Sequence, residues 1–146
     1  MMVFHPETTR QTLPPFDIKT IVPNDGAVAD YCRFYHLDFE NDFYGLHHSC
    51  GYVDVAGYPI LTHTFIPINP KGTVWVVHGY LEHSGLYRHI LPQLFQQGYA
   101  VVIYDLPGHG LSTGTKASIG NFAEYQVIFR HLLTMLRDEL PKPWLG

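Results

Sequence analysis

Two short segments, Thr73 to Val77 (Thr-Val-Trp-Val-Val) and Ala100 to Tyr104 (Ala-Val-Val-Ile-Tyr), are apolar at nearly every position. A strand with one wet face alternates apolar and polar residues, whereas a strand covered on both faces does not, so both segments are predicted as buried strands of a largely parallel sheet. Between them Tyr87, Ile90, Leu91, Leu94 and Phe95 recur at helical spacing, with Gly98 following as a left-handed cap. Pro92 falls inside this stretch: either the regular turns begin near Ile90, where proline is tolerated, or it kinks a longer helix. Further on, Phe122, Tyr125, Ile128, Phe129, Leu132, Leu133 and Leu136 keep helical period, with Asn121 and Glu124 placed as a capping pair and Pro141 as the stop.

Upstream of the buried strands, Gly51 to Val55 and Tyr58 to Phe65 are short β-like runs separated by Ala56 and Gly57, a hairpin pattern that Pro67 and Pro70 terminate. The first 46 residues read differently. Prolines at 6, 14, 15 and 23 predict an extended arm as far as Asn24. Ala27, Val28, Tyr31, Phe34 and Tyr35 then approach helical spacing behind Asn24 and Asp25, which can cap a short helix. The organisation expected is an N-terminal extension with a short helix over 1–46, then an α/β unit over 47–146. That unit has an antiparallel lead-in hairpin followed by parallel strands joined by crossover helices.

Composition narrows the function without naming it. With 46% hydrophobic and 15% charged residues, the 146-residue chain has the make-up of a folded globular protein. Its formal charge of −4 comes from 9 basic and 13 acidic residues without runs, which argues against nucleic acid as a partner. No basic start leads into an apolar stretch, and no segment approaches the roughly 20 apolar residues of a membrane span, so a cytoplasmic protein is expected. Cys32 and Cys50 are too few for a disulfide scaffold and read as free thiols. Of the 10 histidines, His47 and His48 with Cys50 come nearest to a metal cluster, but a structural zinc site needs four ligands at recognisable spacing. Neither metal nor cofactor is expected.

Each buried strand runs straight into a distinctive loop: His78-Gly79-Tyr80-Leu81-Glu82-His83-Ser84-Gly85-Leu86-Tyr87 after the first, and Asp105-Leu106-Pro107-Gly108-His109-Gly110-Leu111-Ser112 after the second. Together they resemble the α/β-hydrolase fold, and within it the group holding monoacylglycerol lipases, lysophospholipases and S33 serine aminopeptidase-like hydrolases, from about Gly51 to Gly146. The resemblance implies that the main-chain N–H of Tyr80 lines an oxyanion hole, with His78 and Gly79 shaping the loop and Gly79 letting main chain approach closely. The plainer alternative is a tight turn at a strand end. Glu82, His83 and Ser84 read as turn and packing residues. The family's acid and histidine follow later strands, so Asp105, His109 and the glycines at 108 and 110 are expected to hold the second loop in shape.

Gly110-Leu111-Ser112-Thr113-Gly114 matches GxSxG, but a nucleophile elbow needs a strand running into its first glycine and a helix starting right after the serine. Here Leu106 to His109 intervene, so Ser112 is read as a loop residue. A phosphate loop over Gly108 to Lys116 fails on spacing, since five residues separate Gly108 from Gly114 and Thr115 precedes Lys116. Lys142 to Gly146 reads as the opening of a fifth strand, with Gly146 either the first glycine of the elbow or a few residues before it.

The resemblance therefore implies the N-terminal half of an α/β-hydrolase sheet, truncated at its fifth strand, with nucleophile, acid and base outside this chain and no activity alone. The parent's substrate would be a small acyl ester or lipid, monoacylglycerol or lysophospholipid by resemblance, with aminopeptidase chemistry left open. Leu86 departs from the arginine that lipase-type relatives often carry. In that fold the third strand lies between the fourth and fifth, so Val74 to Val77 would form an apolar open edge prone to self-association, and the chain alone would be poorly soluble or partly molten. The alternative is a non-catalytic binding or assembly module completed by a partner chain.

Overall fold

A computed structural model describes residues 4–79, 81–112 and 123–146. The hairpin forms as its sequence predicts, with strand β1 (His47–Val55) pairing antiparallel with β2 (Tyr58–Ile66) in the register Val55 to Tyr58. Ala56 and Gly57 both take positive φ, 51° and 83°, as a tight turn matched to strand twist requires. The two apolar segments become β3 (Gly72–Val77) and β4 (Tyr99–Tyr104), parallel neighbours, and Trp144–Leu145 forms β5 beside β3. The resulting five-stranded sheet has the order β1-β2-β4-β3-β5, antiparallel where β2 meets β4. This is the antiparallel lead-in followed by parallel strands that the sequence resemblance implies.

β4 shows why its sequence does not alternate. Val101 and Ile103 join a core with Phe65, Leu91 and Phe95 on one face, while Val102 and Tyr104 join Trp75, Ile128, Leu132 and Leu136 on the other. Burying each aliphatic side chain here is worth about 1.5–3 kcal/mol, so a polar residue at 101, 102 or 103 would be costly. Helix α4 (Ala123–Leu136) covers the second face, with Ile128, Leu132 and Leu136 buried. Asn121 and Phe122 lie outside the described residues. Glu124 bonds across to Tyr58, accepting from its hydroxyl at 2.9 Å.

Helix α3 (Leu91–Gln96) settles the Pro92 alternative: proline occupies the first turn, where its missing N–H leaves no bond unmade, and a separate 3₁₀ turn over Ser84–Tyr87 precedes it. Ile90 is half-exposed and does not join the apolar face expected of it.

Two expectations for the N-terminal region need correction. The arm is not extended throughout: helix α1 spans Pro6–Thr12, with Pro6 at its first position and the Thr9 hydroxyl donating to the His5 carbonyl. Proline starts a helix as readily as it ends one. The second helix, α2 (Ala27–Phe34), is capped by Gly26 at φ 100°, with no side-chain cap from Asn24 or Asp25. Residues 14–16 do run extended along β1, where the amide of Phe16 donates to Tyr52 and that of Tyr52 to Pro14, and further on the Val22 amide donates to His48. Gly51 permits this approach, since a Cβ there would stand 2.7 Å from the Phe16 main chain. Val28, Tyr31, Leu37 and Phe39 then bury themselves in the first-face core.

Candidate functional site

β3 and β4 are adjacent and parallel, so the loops leaving their carboxyl ends emerge side by side at the edge where α/β sheets gather ligands. His78 joins the two loops. Its Nε2 accepts from the Leu106 amide at 2.9 Å and so carries no hydrogen, which leaves Nδ1–H to donate to the Gly79 carbonyl at 2.8 Å. Burial pulls the His78 pKa below the ordinary imidazole value, favouring the neutral ring that this pattern needs.

Gly79 is held from its other side. Its amide donates to Glu82 Oε2 at 2.9 Å, and the Tyr87 hydroxyl donates to the same oxygen at 2.8 Å. These bonds, the Gly79 amide first, hold the Glu82 carboxyl below the usual range. A Cβ on Gly79 would stand 3.1 Å from Glu82 Oε2, so a side chain there would press on this carboxylate. The main-chain N–H of Gly79 is thus already engaged within the loop. Tyr80, whose N–H the resemblance assigns to an oxyanion hole, lies outside the described residues.

His83 caps the 3₁₀ turn, its Nδ1 accepting from the Gly85 amide at 3.1 Å. Asp105 is fully buried, and both of its carboxylate oxygens are engaged by main-chain amides: Oδ1 by Ser84 at 2.7 Å and Oδ2 by Leu111 at 2.9 Å. Gly110, at φ 50°, packs so closely on this carboxylate that any Cβ there would collide with it. Ser112 is buried too; its Oγ donates to the Asp105 carbonyl at 2.6 Å and accepts from the Leu61 amide at 2.9 Å. A hydroxyl committed in this way is not poised as a nucleophile. Thr113, Gly114, Thr115 and Lys116 lie outside the described residues. His109 Nδ1 donates to the Pro107 carbonyl at 3.0 Å, and its ring centre sits 5.1 Å from that of His78.

Sequence reasoning missed the part that residues before 47 play here. The Arg10 guanidinium reaches from α1 to the second loop, Nη2 donating to the Gly110 carbonyl at 3.0 Å and Nε to that of Leu111 at 3.3 Å. Tyr35 packs edge-on against His83 with centres 4.8 Å apart. A small cavity of about 70 Å³ remains between Phe4, Pro6, Tyr31, Tyr35, His83 and Leu111. Main-chain acceptors on a distant loop leave no mark in a sequence, so no signal could have found the Arg10 contact.

The His47, His48 and Cys50 cluster divides. His47 Nε2 donates to the Ile18 carbonyl, whereas His48 faces the opposite side with Cys50 and meets His63. Among the described residues, no group of three or more His, Cys, Asp or Glu is arranged to hold a metal ion, and no helix is long and apolar enough to cross a membrane.

Comparison with known proteins agrees with this geometry. Residues 68–144 match the family described as serine aminopeptidase, S33. The chain is 31% identical over 91 residues to a monoacylglycerol lipase of Mycolicibacterium smegmatis, covering 62% of this chain and 32% of the lipase. It is 31% identical over 103 residues to caffeoylshikimate esterase of Arabidopsis thaliana, covering 64% and 31%. Among solved structures, a cold-adapted esterase from an Arctic intertidal metagenomic library superposes with a TM-score of 0.57 at 19% identity, covering 69% of this chain and 49% of the esterase. The chain thus spans about a third of the length of these curated relatives.

Proposed function

The chain belongs to the serine aminopeptidase S33 family of α/β-hydrolases, and from that premise we propose that it is the N-terminal portion of a serine ester hydrolase of the lysophospholipase or monoacylglycerol lipase kind. Its contribution to catalysis is half of an oxyanion hole, the main-chain N–H of Tyr80. The nucleophile, the acid, the base and the second oxyanion donor come from outside residues 1–146. Residues 1–46 form an N-terminal extension and 47–146 the incomplete hydrolase unit. No cofactor takes part, and the substrate of the whole enzyme is a small acyl ester or lipid. Cytoplasmic residence belongs to the same reading.

The observation that carries the proposal is the double anchoring of the His78-Gly79 turn at the carboxyl edge of two adjacent parallel strands. His78 pins the turn to the neighbouring loop through Leu106, and Glu82 occupies the Gly79 amide. A preorganised main-chain donor stabilises the negative oxygen of a tetrahedral intermediate at no reorganisation cost when charge develops. The remaining work would fall to an attacking serine: its oxygen bonds the acyl carbon, its proton passes to a histidine, and the leaving alcohol departs with that proton before water releases the acid.

Two measurements test this. The 146-residue chain alone leaves p-nitrophenyl butyrate and monoacylglycerols unhydrolysed above the buffer rate, and turnover by the purified chain would overturn the proposal. In a longer polypeptide joining these residues to a serine elbow, Tyr80→Pro removes the N–H and lowers kcat by about 10²–10³ with KM little changed.

A further inference from the structure

On the sheet face that packs against α2, four side chains form a continuous hydrogen-bond chain. Tyr31 Oη lies 3.3 Å from His63 Nε2, His63 Nδ1 2.9 Å from His48 Nε2, and His48 Nδ1 3.0 Å from Glu40 Oε2. They come from α2, β2, β1 and the 3₁₀ turn Phe39–Asn41. Tyr31, His48 and His63 are buried, while Glu40 keeps 27% of its side chain exposed. The His48 ring stacks on Phe65 at 4.1 Å, so neither imidazole can rotate away without disturbing the core.

A proton inventory decides what this chain tolerates. With Glu40 ionised and both imidazoles neutral, every link holds one hydrogen and all point the same way: Tyr31 O–H to His63, His63 Nδ1–H to His48, His48 Nδ1–H to Glu40. A further proton has no place on either ring without breaking a link. On His48 Nε2 it would face the His63 N–H head to head across 2.9 Å. On His63 Nε2, or on Glu40 with the chain reversed, it would take away the acceptor that now receives the Tyr31 hydrogen and leave that buried donor without its present partner. An unsatisfied buried donor or a buried unpaired charge is costly.

The other ionisable groups around the chain do not relieve this. Cys50 Sγ lies 3.9 Å from His63 Nε2, and burial pushes both the Cys50 and the Cys32 thiol well up, so neither supplies a negative charge. Asp105, from the loop after β4, acts on Tyr31 and Cys50, and Asp38 and Arg33 act on Cys32. Burial, and His48 after it, nevertheless keep His63 well below the ordinary imidazole value.

We infer that Glu40, His48, His63 and Tyr31 form an acid-released clasp, which holds α2 against the sheet at neutral pH and frees it when the histidines charge. Release would reach the candidate site, because Tyr35 follows Tyr31 by one turn and packs on His83 of the loop after β3. The clasp does not depend on the hydrolase reading. In the freed segment an imidazole titrates near its ordinary value of about 6.5, whereas docked His63 titrates lower. The stabilisation from His63 is therefore complete above about pH 6.5 and is lost as pH falls below it, the opened fraction rising by up to about tenfold per pH unit.

Amide hydrogen exchange of the 146-residue chain at pH 7.5, 6.0 and 5.0, corrected for intrinsic rates, tests this with the β4 amides as internal reference. Exchange of α2 relative to β4 should rise at least tenfold between pH 7.5 and 5.0; an unchanged ratio would overturn the clasp. Nitrogen-15 spectra of the histidine rings give a second readout that needs no variant. Both rings should be neutral Nδ1–H tautomers while α2 is protected, and an imidazolium at either position with α2 still protected would sink the idea. In the double variant His48→Gln, His63→Gln, a folded chain should lose the pH dependence, and its retention there would equally count against these residues.

Discussion

Asp105 Oδ1 accepts the Ser84 amide at 2.7 Å, so a carboxylate at the end of one parallel strand fixes the loop that leaves the other. Its second oxygen binds Leu111 within its own loop. Asp105→Asn puts an NH₂ against one of these amides and should cost about 1–3 kcal/mol, with Asp105→Ala costing more. Denaturant midpoints of the two variants against the parent chain check the order.

Ser112 sits in a GxSxG match, yet its hydroxyl is buried between Asp105 and Leu61. A fluorophosphonate probe should leave it unlabelled, and mass-spectrometric detection of an adduct at Ser112 would refute that. Ser112→Ala should act on stability instead, by about 1–3 kcal/mol, because it strands the Leu61 amide in the core.

Two glycines with positive φ separate strain from collision. Gly57, at φ 83°, has open space where a Cβ would go, so Gly57→Ala should cost only about 1 kcal/mol. Gly110→Ala adds a clash with the Asp105 carboxylate and should destabilise several-fold more. Thermal melts of the pair measure the difference.

Tyr104 is buried against the α4 face, and burial pushes its phenol up to about 12. The folded form then holds this proton when the unfolded chain, with its phenol near 10, has lost it, so stability falls as pH rises from about 10 to 12. Carbon-13 tyrosine spectra should show Tyr104 still neutral at pH 11.

The outer edge of β3 pairs with β5 only at Thr73 and Val74, and Val77 beyond is 49% exposed. Such an edge recruits other strands. Light scattering should show concentration-dependent association of the chain, reduced by Val77→Lys.

Sequence reading succeeded where the deciding contacts are local or where burial erases alternation. The runs 73–77 and 100–104 announce strands covered on both faces, and Ala56 with Gly57 announces a two-residue turn. It failed where meaning depends on register. His48 and His63 meet only because Cys50 pairs with His63 across the hairpin, which sets His48 diagonally opposite on the same face. Pro6 misled because one residue type both opens and interrupts helices, and the choice lay in the packing of α1 on α2, where Phe4 meets Tyr31 and Tyr35. Asp105 was legible as a shaping residue but not its partners, since main-chain amides carry no side-chain label.

Arg10 grips carbonyls 100 and 101 positions further along the chain. At a ribosomal pace of about 5–20 residues per second, α1 waits roughly 5–20 s for these acceptors to be made. Until then α1 can pack on α2, but its guanidinium has no seat and stays in water.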